Sequence, residues 1–249
     1  RARARACSVT PPILARAVHF TDITPNDDEA LRNSPLSSGD GRRLMEGKAN
    51  ERRTEMAKIV ISTNCSLDRV VQNPDGGEGF ELGGWFGEFG GGDIEQWANI
   101  EFEEALRTDA LLLGRRSDEW FASRWSSRPG EWADRLNSLP KYVVSSTVAA
   151  GSWTNCTVLK GDVIDEVSKL KQELGGEIVV YASYRLGRTL LAHDLVDELR
   201  LVIFPVVLGV GERLFDETND KKPLRLVDSR TIGDGLVFVT YEVGRAAAN

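Results

Sequence analysis

Hydrophobic and polar positions alternate between strand and helix patterns from about residue 56 onward. The clearest unit begins at residues 177–181 (EIVVY), a β-branched run behind two glycines, which predicts a buried strand. Leu186, Leu190 and Leu191 then recur at helical spacing and form one apolar face. Residues 198–207 form a second long apolar run. The pattern therefore predicts two strands joined through a helix.

The turns of this unit carry their own signals. Ser183 stands where it can cap the helix that ends near Asp194, and residues 208–211 (LGVG) predict a reversal in which glycine accepts a positive φ. A strand, a small-residue turn and a helix start place free N–H groups and the positive end of the helix dipole together. This arrangement favours an anion site at the turn.

The same alternation continues on both sides of this unit. Further strands are predicted at residues 58–63, 110–113, 141–145 and 158–159. Further helices are predicted at residues 93–108, 115–122 and 162–174, and residues 224–231 and 236–243 are predicted to form a hairpin around Gly233-Asp234-Gly235. The fold class is therefore α/β, with a mostly parallel sheet, helices on both faces and an antiparallel C-terminal hairpin.

Two segments have a less regular pattern. Asp93 followed by Gln96 predicts a capping box at the start of an amphipathic helix. Residues 76–92 are rich in glycine and aromatic residues, a composition typical of a mobile flap with apolar anchors rather than of a helix or strand. The aromatic residues Trp85, Phe86 and Trp125 are more typical of core packing than of a substrate platform.

Composition narrows the classes of function. A net charge of −7 and a pI near 5.1 argue against a nucleic-acid or anionic-membrane partner, and no run of about 18 apolar residues indicates a membrane span. Three widely spaced cysteines fit a reducing, cytoplasmic location. With two histidines and no zinc-like spacing, no metal site is expected.

The first 55 residues differ from the rest of the chain. They begin RARARA, lack apolar periodicity past Phe20 and are dense in Arg, Asn, Pro, Ser and Asp. We expect a disordered extension over residues 1–55, one domain over residues 56–245 and a short tail over residues 246–249. Met56 stands immediately before the first strand, and the arginine-rich start resembles a transit peptide only superficially.

Polar residues follow three predicted strands at their carboxyl ends, where ligands collect in an open parallel sheet. The segment LLLGRRS (residues 111–117) ends a strand with two arginines and a hydroxyl, YVVSST (residues 142–147) ends one with hydroxyls, and the third site is the turn at residues 182–186. Arginine forks, hydroxyls and helix-start amides suit a phosphate-rich ligand.

These segments, with SLD at residues 66–68 and FPVVLGVGERLF at residues 204–215, occur in the order shown by the dihydrofolate-reductase-like superfamily. Within it, residues 56–245 resemble the C-terminal reductase domain of the bifunctional riboflavin-biosynthesis deaminase/reductase. The resemblance implies a three-layer α/β/α fold, NADPH as the cofactor, frequent homodimers, and hydride transfer to a small heterocyclic or carbonyl- or imine-type substrate, pterin- or pyrimidine-related among the options.

The resemblance also implies roles for individual residues. Asp68 is the candidate catalytic residue, because Asp68 or a water it orients could assist one proton transfer near the substrate. Substrate contacts are expected from Ser66 and Tyr181. The implied cofactor-binding residues are Gly114, Arg115, Arg116, Ser117, Ser145, Ser146, Ala182, Ser183, Tyr184, Arg185 and Leu186.

The chain differs from the family pattern at four places. Arg69 stands where SLDG would have glycine, Asp118 where a tyrosine is usual, and Ala182-Ser183-Tyr184 where the turn is usually rich in glycine. Tyr181 occupies a position that is usually acidic in the riboflavin-pathway enzymes. Two alternatives to a reductase therefore stay open: a non-catalytic nucleotide- or ligand-binding protein on the same scaffold, and a structural oligomeric module.

Overall fold

The computed structural model describes residues 56–215 and 221–244. Its strands are β1 (Lys58–Ser66), β2 (Ala110–Gly114), β3 (Lys141–Val144), β4 (Cys156–Leu159), β5 (Glu177–Tyr181), β6 (Glu198–Phe204), β7 (Leu224–Ile232) and β8 (Leu236–Val243). Its helices are α1 (Trp85–Gly90), α2 (Ile94–Arg107), α3 (Arg115–Trp125), α4 (Glu131–Ser138), α5 (Val163–Glu173) and α6 (Tyr184–Ala192). The predicted disordered extension and tail lie outside the described residues.

The strands form an eight-stranded sheet in the order β4-β3-β2-β5-β1-β6-β8-β7. Strands β1 to β6 pair in parallel, while β8 runs antiparallel to β6 and to β7. The predicted fold class is confirmed, including the antiparallel C-terminal hairpin. Because β5 lies between β2 and β1 and the three strands run parallel, their carboxyl ends lie side by side.

Two apolar clusters cover the two faces of the sheet. On one face, Trp97 of α2 and Trp132 of α4 pack with Val179 and the other side chains that point that way from the strands. On the opposite face, Val167 of α5 and Leu190 of α6 pack against the alternate residues of the same strands. The three layers follow from this alternation, since successive side chains of a strand point to opposite faces. No helix within the described ranges is long and apolar enough to cross a bilayer.

The flap expected over residues 76–92 is wrong in its second half, where the chain forms α1. Trp85 and Phe86 are buried in this helix, and both rings lie 5.3 Å from the ring of Phe204. Glycines with positive φ at both ends, Gly84 and Gly91, limit the helix to six residues. A short helix with this many glycines is stabilised by burial of its aromatic rings, which propensity does not predict.

The capping box at Asp93 and Gln96 is also wrong. The Asp93 side chain makes no cap bond to α2; instead its carboxylate accepts hydrogen bonds from the backbone N–H of Asp234 and Gly235, at 3.2 and 2.8 Å. Gln96 accepts from the Gly233 N–H at 3.2 Å. A 3₁₀ turn at residues 91–93 already leads into α2, so the side chains are available to the hairpin between β7 and β8.

A buried ion cluster joins α2 to the sheet. The Arg200 guanidinium on β6 contacts the carboxylates of Glu104, Glu177 and Glu198 at 3.0, 2.9 and 2.6 Å. Both Arg200 and Glu104 are buried. Removal of one partner from such a cluster leaves charges without compensation in a region of low dielectric, which is strongly destabilising.

We therefore predict that Arg200→Met lowers the free energy of unfolding by about 3–5 kcal/mol, because Glu104 loses its cation. Urea denaturation followed by circular dichroism measures the change. The exposed pair of Arg225 and Glu242 supplies the control, since Arg225→Met should cost less than about 1 kcal/mol. Adding Glu104→Gln to Arg200→Met should recover part of the loss; equal losses for the two arginine variants would contradict the prediction.

Candidate functional site

The neighbouring ends of β1, β2 and β5 open into a cavity of about 320 Å³. Residues 62–64 of β1, residues 114–117 at the start of α3 and residues 181–186 after β5 all contribute to its lining. The structure therefore brings together the predicted site residues Gly114, Arg115, Arg116 and Ser117 with Tyr181, Ala182, Ser183, Tyr184, Arg185 and Leu186. Their individual roles toward a ligand stay predictions.

Ser183 connects the two turns of this cavity. Its hydroxyl oxygen accepts a hydrogen bond from the backbone N–H of Gly114 at 2.9 Å, and the hydroxyl donates to Ser117 Oγ, also at 2.9 Å. The sequence predicted Ser183 as a helix cap, but the side chain makes no cap bond to α6. Instead it fixes the start of α3 beside the start of α6.

Neither helix start is capped by a side chain in the described structure, although the N–H of Tyr184, the first residue of α6, donates to Ala182 O at 2.8 Å. Two helix dipoles with their positive ends at one cavity favour an anionic ligand. Arginines add mobile charge beside the turns: Arg115 pairs with Glu119 at 3.1 Å, Arg185 pairs with Glu212 at 3.3 Å, and Arg116 lines the cavity.

The turn itself requires an unusual backbone conformation. Ala182 has a φ of 52°, in the left-handed region where glycine is unstrained and alanine is not. The family pattern of glycine at this turn thus has a physical counterpart in the structure. The same holds for Arg69, whose φ is 68° at the position where SLDG would have glycine.

Asp118 does not face the turns at the starts of α3 and α6. Its buried carboxylate accepts hydrogen bonds from the backbone N–H of Ser152 at 2.5 Å and of Trp153 at 3.2 Å, and it is absent from the described cavity lining. An acid at this position therefore anchors the loop before β4 rather than placing a negative charge beside an anion.

The hydroxyls after β3 lie outside the described lining of the cavity. Ser145 Oγ accepts from the N–H of Thr147 at 3.2 Å and of Val148 at 3.4 Å, while Ser146 is exposed. Since β3 pairs in parallel with β2, Ser145 and Ser146 follow a strand whose carboxyl end lies beside that of β2 and therefore on the same side as the cavity. A contact with the ribose end of a cofactor stays a prediction for both.

Asp68 is held elsewhere. Its carboxylate accepts hydrogen bonds from Ser66 Oγ at 2.7 Å and from the N–H of Leu208 and Gly209 at 3.1 and 2.9 Å. Desolvation by itself would raise the pKa of Asp68, but these hydrogen bonds outweigh it and lower the pKa to about 2. Neither Asp68 nor Ser66 is among the described lining residues. Their catalytic and substrate roles stay predictions, and the geometry gives both a structural task at the reversal after β6.

Aromatic rings form a further part of the cavity lining. The rings of Trp97 and Trp132 are 6.1 Å apart, those of Trp125 and Trp132 are 4.9 Å apart, and those of Phe86 and Trp97 are 4.8 Å apart. The sequence left two roles open for Phe86 and Trp125, core packing and a substrate platform. Both residues pack in the core and also line the cavity. Trp85 is buried and is not among the described lining residues.

Two ionisable groups in the lining have strongly shifted pKa values. Burial, reinforced by the neighbouring carboxylates of Glu104 and Glu101, raises the pKa of Tyr181 well above its usual range. Burial and the negative charge of Glu104 also raise the pKa of Glu101 well above its usual range, although Arg200 opposes this. Strongly shifted groups in a cavity are candidates for a functional role.

Glu101 and Trp132 line the cavity but were not predicted from the sequence. Glu101 follows Trp97 by four residues and therefore lies on the apolar face of α2. An acidic residue within an apolar helix face was the sequence feature that could have indicated a functional role. Helix α4, which carries Trp132, was not predicted, although Trp132, Ala133 and Leu136 have helical spacing. The described residues contain no group of three or more His, Cys, Asp or Glu arranged to hold a metal ion.

The fold is a dihydrofolate-reductase-like α/β fold. The family model "RibD C-terminal domain" matches residues 57–238, and the chain therefore belongs to the RibD C-terminal domain family.

Two relatives come from Bacillus subtilis (strain 168). The uncharacterized protein YyaP is 34% identical over 139 residues, covering 53% of this chain and 73% of YyaP. The uncharacterized protein YwjB is 25% identical over 179 residues, covering 72% of this chain and 94% of YwjB.

Solved structures share the fold at lower identity. A putative riboflavin biosynthesis protein from Shewanella sp. PV-4 is 23% identical with a TM-score of 0.59, over 76% of this chain and 99% of that chain. The diaminohydroxyphosphoribosylaminopyrimidine deaminase/5-amino-6-(5-phosphoribosylamino)uracil reductase of Thermotoga maritima is 9% identical with a TM-score of 0.51, over 81% of this chain and 60% of that chain.

We predict that Ala182→Gly raises the free energy of unfolding by about 1 kcal/mol, because glycine adopts the left-handed φ of residue 182 without a Cβ clash. Chemical denaturation measures the change. Ala192→Gly, at the exposed end of α6, is the matched control and should lower stability, since glycine is less favourable there than alanine. If both variants are destabilised equally, the backbone of residue 182 is not strained.

We predict that Asp68→Asn lowers the free energy of unfolding at pH 7 by about 1–3 kcal/mol, because an amide nitrogen would face a backbone donor in place of a carboxylate oxygen. The folded pKa of about 2 lies below the unfolded value of 3.8, so the wild-type contribution is present above pH 3.8 and is lost as the pH falls toward 2. Denaturation between pH 2 and pH 7 measures both effects.

The exposed Asp228, next to Arg230, gives the control for this prediction, and Asp228→Asn should leave the pH profile of stability nearly unchanged. Turnover and substrate binding of Asp68→Asn, measured on the folded fraction, test the catalytic assignment separately. If both are unchanged, Asp68 is not the catalytic group.

Proposed function

We propose that this protein is an NADPH-dependent reductase that transfers a hydride to a small heterocyclic or carbonyl- or imine-type substrate. The observation that carries the proposal is the pair of uncapped helix starts, α3 and α6, held side by side by Ser183 at a cavity that is also lined by aromatic rings. The helix starts suit phosphates and the aromatic side chains suit flat rings, as a dinucleotide and its substrate require.

The residues present fit such a cofactor. Residues 114–117 and 182–186 would hold its phosphates through backbone N–H groups, with Arg115 or Arg116 near a 2′-phosphate and Ser145 and Ser146 near the ribose. A second depression shares Arg116, Arg185 and Tyr184 with the cavity, and its other charged lining residues are the acids Glu78, Glu119 and Glu212. Membership of the RibD C-terminal domain family supports the same assignment.

A bound reduced nicotinamide supplies the hydride. The protein then has to position two ligands and exclude water, and this chain has the means for both. Ser183 fixes the distance between the two turns, and the Trp97, Trp125 and Trp132 rings form an apolar part of the cavity wall. Positioning of this kind accounts for much of the catalysis in a reaction whose chemistry the cofactor provides.

A second candidate function, binding of a nucleotide without turnover, is favoured by one feature of the turn. The N–H of Ser183 donates to Tyr181 O at 2.5 Å and the N–H of Tyr184 donates to Ala182 O at 2.8 Å. Two amides that a glycine-rich turn could present to a phosphate are therefore engaged within the protein, which would weaken binding of the cofactor.

The first test is a titration of the full chain with NADPH and with NADH, followed by nicotinamide fluorescence and by oxidation in the presence of candidate substrates. The reductase predicts binding of NADPH in preference to NADH and oxidation with at least one substrate. Binding without oxidation supports the second candidate, and no binding of either nucleotide excludes both.

We predict that Arg115→Ala combined with Arg116→Ala weakens NADPH binding about tenfold or more, because charge-assisted contacts to phosphate are lost. NADH binding should change much less, since NADH lacks the 2′-phosphate. The control is Arg225→Ala combined with Arg230→Ala, which removes the same charge from β7, the outermost strand of the sheet. This double variant should leave the affinities for NADPH and for NADH unchanged. Equal weakening by both double variants would show a general charge effect instead of a phosphate site.

A further inference from the structure

Strand β1 ends with two polar residues at the cavity. Successive side chains of a strand point to opposite faces of the sheet, and Val60 packs in the same apolar cluster as Trp97, whereas Ile61 packs in the opposite one. Ser62 and Asn64 therefore continue the face that carries Val60, and both residues line the cavity. The face of β1 that meets the aromatic rings thus changes from apolar to polar at the cavity.

The amide group of Asn64 has a fixed orientation. Trp97 Nε1 donates a hydrogen bond to Asn64 Oδ1 at 2.9 Å. Because an indole N–H can only donate, the amide oxygen has to face it, which directs the NH₂ group away from the indole. Asn64 Nδ2 makes no hydrogen bond to a described residue, and it is not one of the described polar atoms that are sealed from solvent without a partner. The NH₂ group of Asn64 is therefore a donor open to the cavity.

A second asparagine shows the same arrangement with a complete set of partners. Asn137 Oδ1 accepts a hydrogen bond from Trp153 Nε1 at 2.6 Å, and Asn137 Nδ2 donates to the backbone oxygen of Trp125 at 3.0 Å. Both ends of that amide are satisfied within the protein, as is usual for buried polar groups. At Asn64 the described residues satisfy only the oxygen, so the NH₂ group is left for a ligand in the cavity.

Ser62 is a second polar group on the same face of β1. Only 3% of this residue is exposed, it lines the cavity, and its hydroxyl makes no hydrogen bond to a described residue. The hydroxyl is also not among the described polar atoms that are sealed without a partner, so it opens to the cavity as well. Two residues of a strand span about 7 Å, so Ser62 and Asn64 can contact two separate polar atoms along the edge of one ligand.

The aromatic rings beside Asn64 offer a packing surface for a flat ligand. The ring of Trp97 lies 4.8 Å from that of Phe86 and 6.1 Å from that of Trp132. Trp97 thus acts twice, because its ring belongs to the cavity wall and its N–H orients the amide of Asn64. A cavity of about 320 Å³ has room for a bicyclic ring that packs on these side chains while its edge meets β1.

From these contacts we propose that Asn64 is a specificity-determining residue, whose NH₂ group donates a hydrogen bond to a carbonyl oxygen on the edge of a flat substrate ring. Ser62 supplies the second polar contact along that edge. The substrate class is thus a planar cyclic ketone or lactam. This assignment rests on the proposed reductase function and adds the group by which the substrate is recognised. An amide does not ionise near neutral pH, so Asn64 orients the ring and transfers no proton.

A pair of probes without cofactor tests this proposal on the full chain. 1-Indanone and indane share a flat bicyclic skeleton, and only 1-indanone carries a carbonyl oxygen. Quenching of tryptophan fluorescence measures both affinities. Asn64→Leu should lower the affinity for 1-indanone relative to that for indane about tenfold, because the carbonyl then has no donor. The ratio of the two affinities is the readout, since altered packing changes the binding of both probes.

Two further variants separate the NH₂ group from the rest of the side chain. Asn64→Asp keeps an oxygen for Trp97 Nε1 but replaces the NH₂ group with a second oxygen, and it should lower the same ratio at least as far as Asn64→Leu. Asn155→Asp makes this substitution at an exposed residue outside the described cavity lining and should leave the ratio unchanged. Circular dichroism identifies the variants that are folded.

The carbonyl carbon of the probe reports the hydrogen bond directly. In 1-indanone labelled with ¹³C at the carbonyl, the resonance of the bound probe should lie further downfield in the wild type than in Asn64→Leu, because hydrogen bonding deshields this carbon. A purely structural role of Asn64 would not move this resonance. An unchanged affinity ratio in both Asn64 variants, an equal carbonyl resonance in wild type and Asn64→Leu, or no binding of 1-indanone by the wild type would each overturn the proposal.

A carbonyl oxygen could also come from the carboxamide of a bound nicotinamide. Saturation with NADP⁺, which cannot reduce the probe, distinguishes the two sources. If Asn64 recognises the substrate, NADP⁺ should change the affinity for 1-indanone less than about twofold. Displacement of 1-indanone by NADP⁺ in the wild type would instead assign the NH₂ group to the cofactor and overturn the substrate class.

The outcome is separable from that of the proposed function. If neither NADPH nor NADH binds but the affinity ratio responds to Asn64 as expected, the reductase function fails and the carbonyl site stands. If NADPH is oxidised with a substrate while the affinity ratio is the same in wild type and both Asn64 variants, the reductase function stands and the role proposed for Asn64 is wrong.

Discussion

The position of β5 between β2 and β1 is the constraint on which the site depends. Parallel pairing aligns the carboxyl ends of the three strands, and each strand then leads into a different segment of the cavity wall. Ser183 adds two hydrogen bonds that join the turn after β5 to the turn after β2. Two helix starts consequently lie at one cavity, although they are about seventy residues apart in the chain.

The lining of the cavity combines two kinds of surface. Helix starts and arginines favour anions, while the aromatic rings offer surfaces on which flat rings can pack. Glu101 also lines the cavity, and Arg200, the cation that opposes the rise of its pKa, is shared among other carboxylates. The buried ion cluster therefore stabilises the packing of α2 and also acts on the pKa of a cavity residue.

Polar side chains that appear local in the sequence often make long-range contacts here. Asp93 and Gln96 hold a hairpin that is more than 130 residues away, and Asp68 holds the reversal after β6. In each case a backbone N–H that has no partner in its own turn is satisfied by a distant carboxylate or amide oxygen. Such residues resemble caps or catalytic groups in a sequence, because the same side-chain oxygen serves all three purposes.

The sequence by itself predicted the layers of the fold and two of the strand-end turns that line the cavity. Strands such as β5 and helices such as α5 were predicted closely because the alternation of apolar residues, and a cap such as Asp162, are local properties. Only the tertiary structure decided which polar groups face the cavity. Glu101 and Asp118 are both acids near apolar residues, yet one lines the cavity and the other binds backbone amides, because helix packing and loop geometry set where each side chain points.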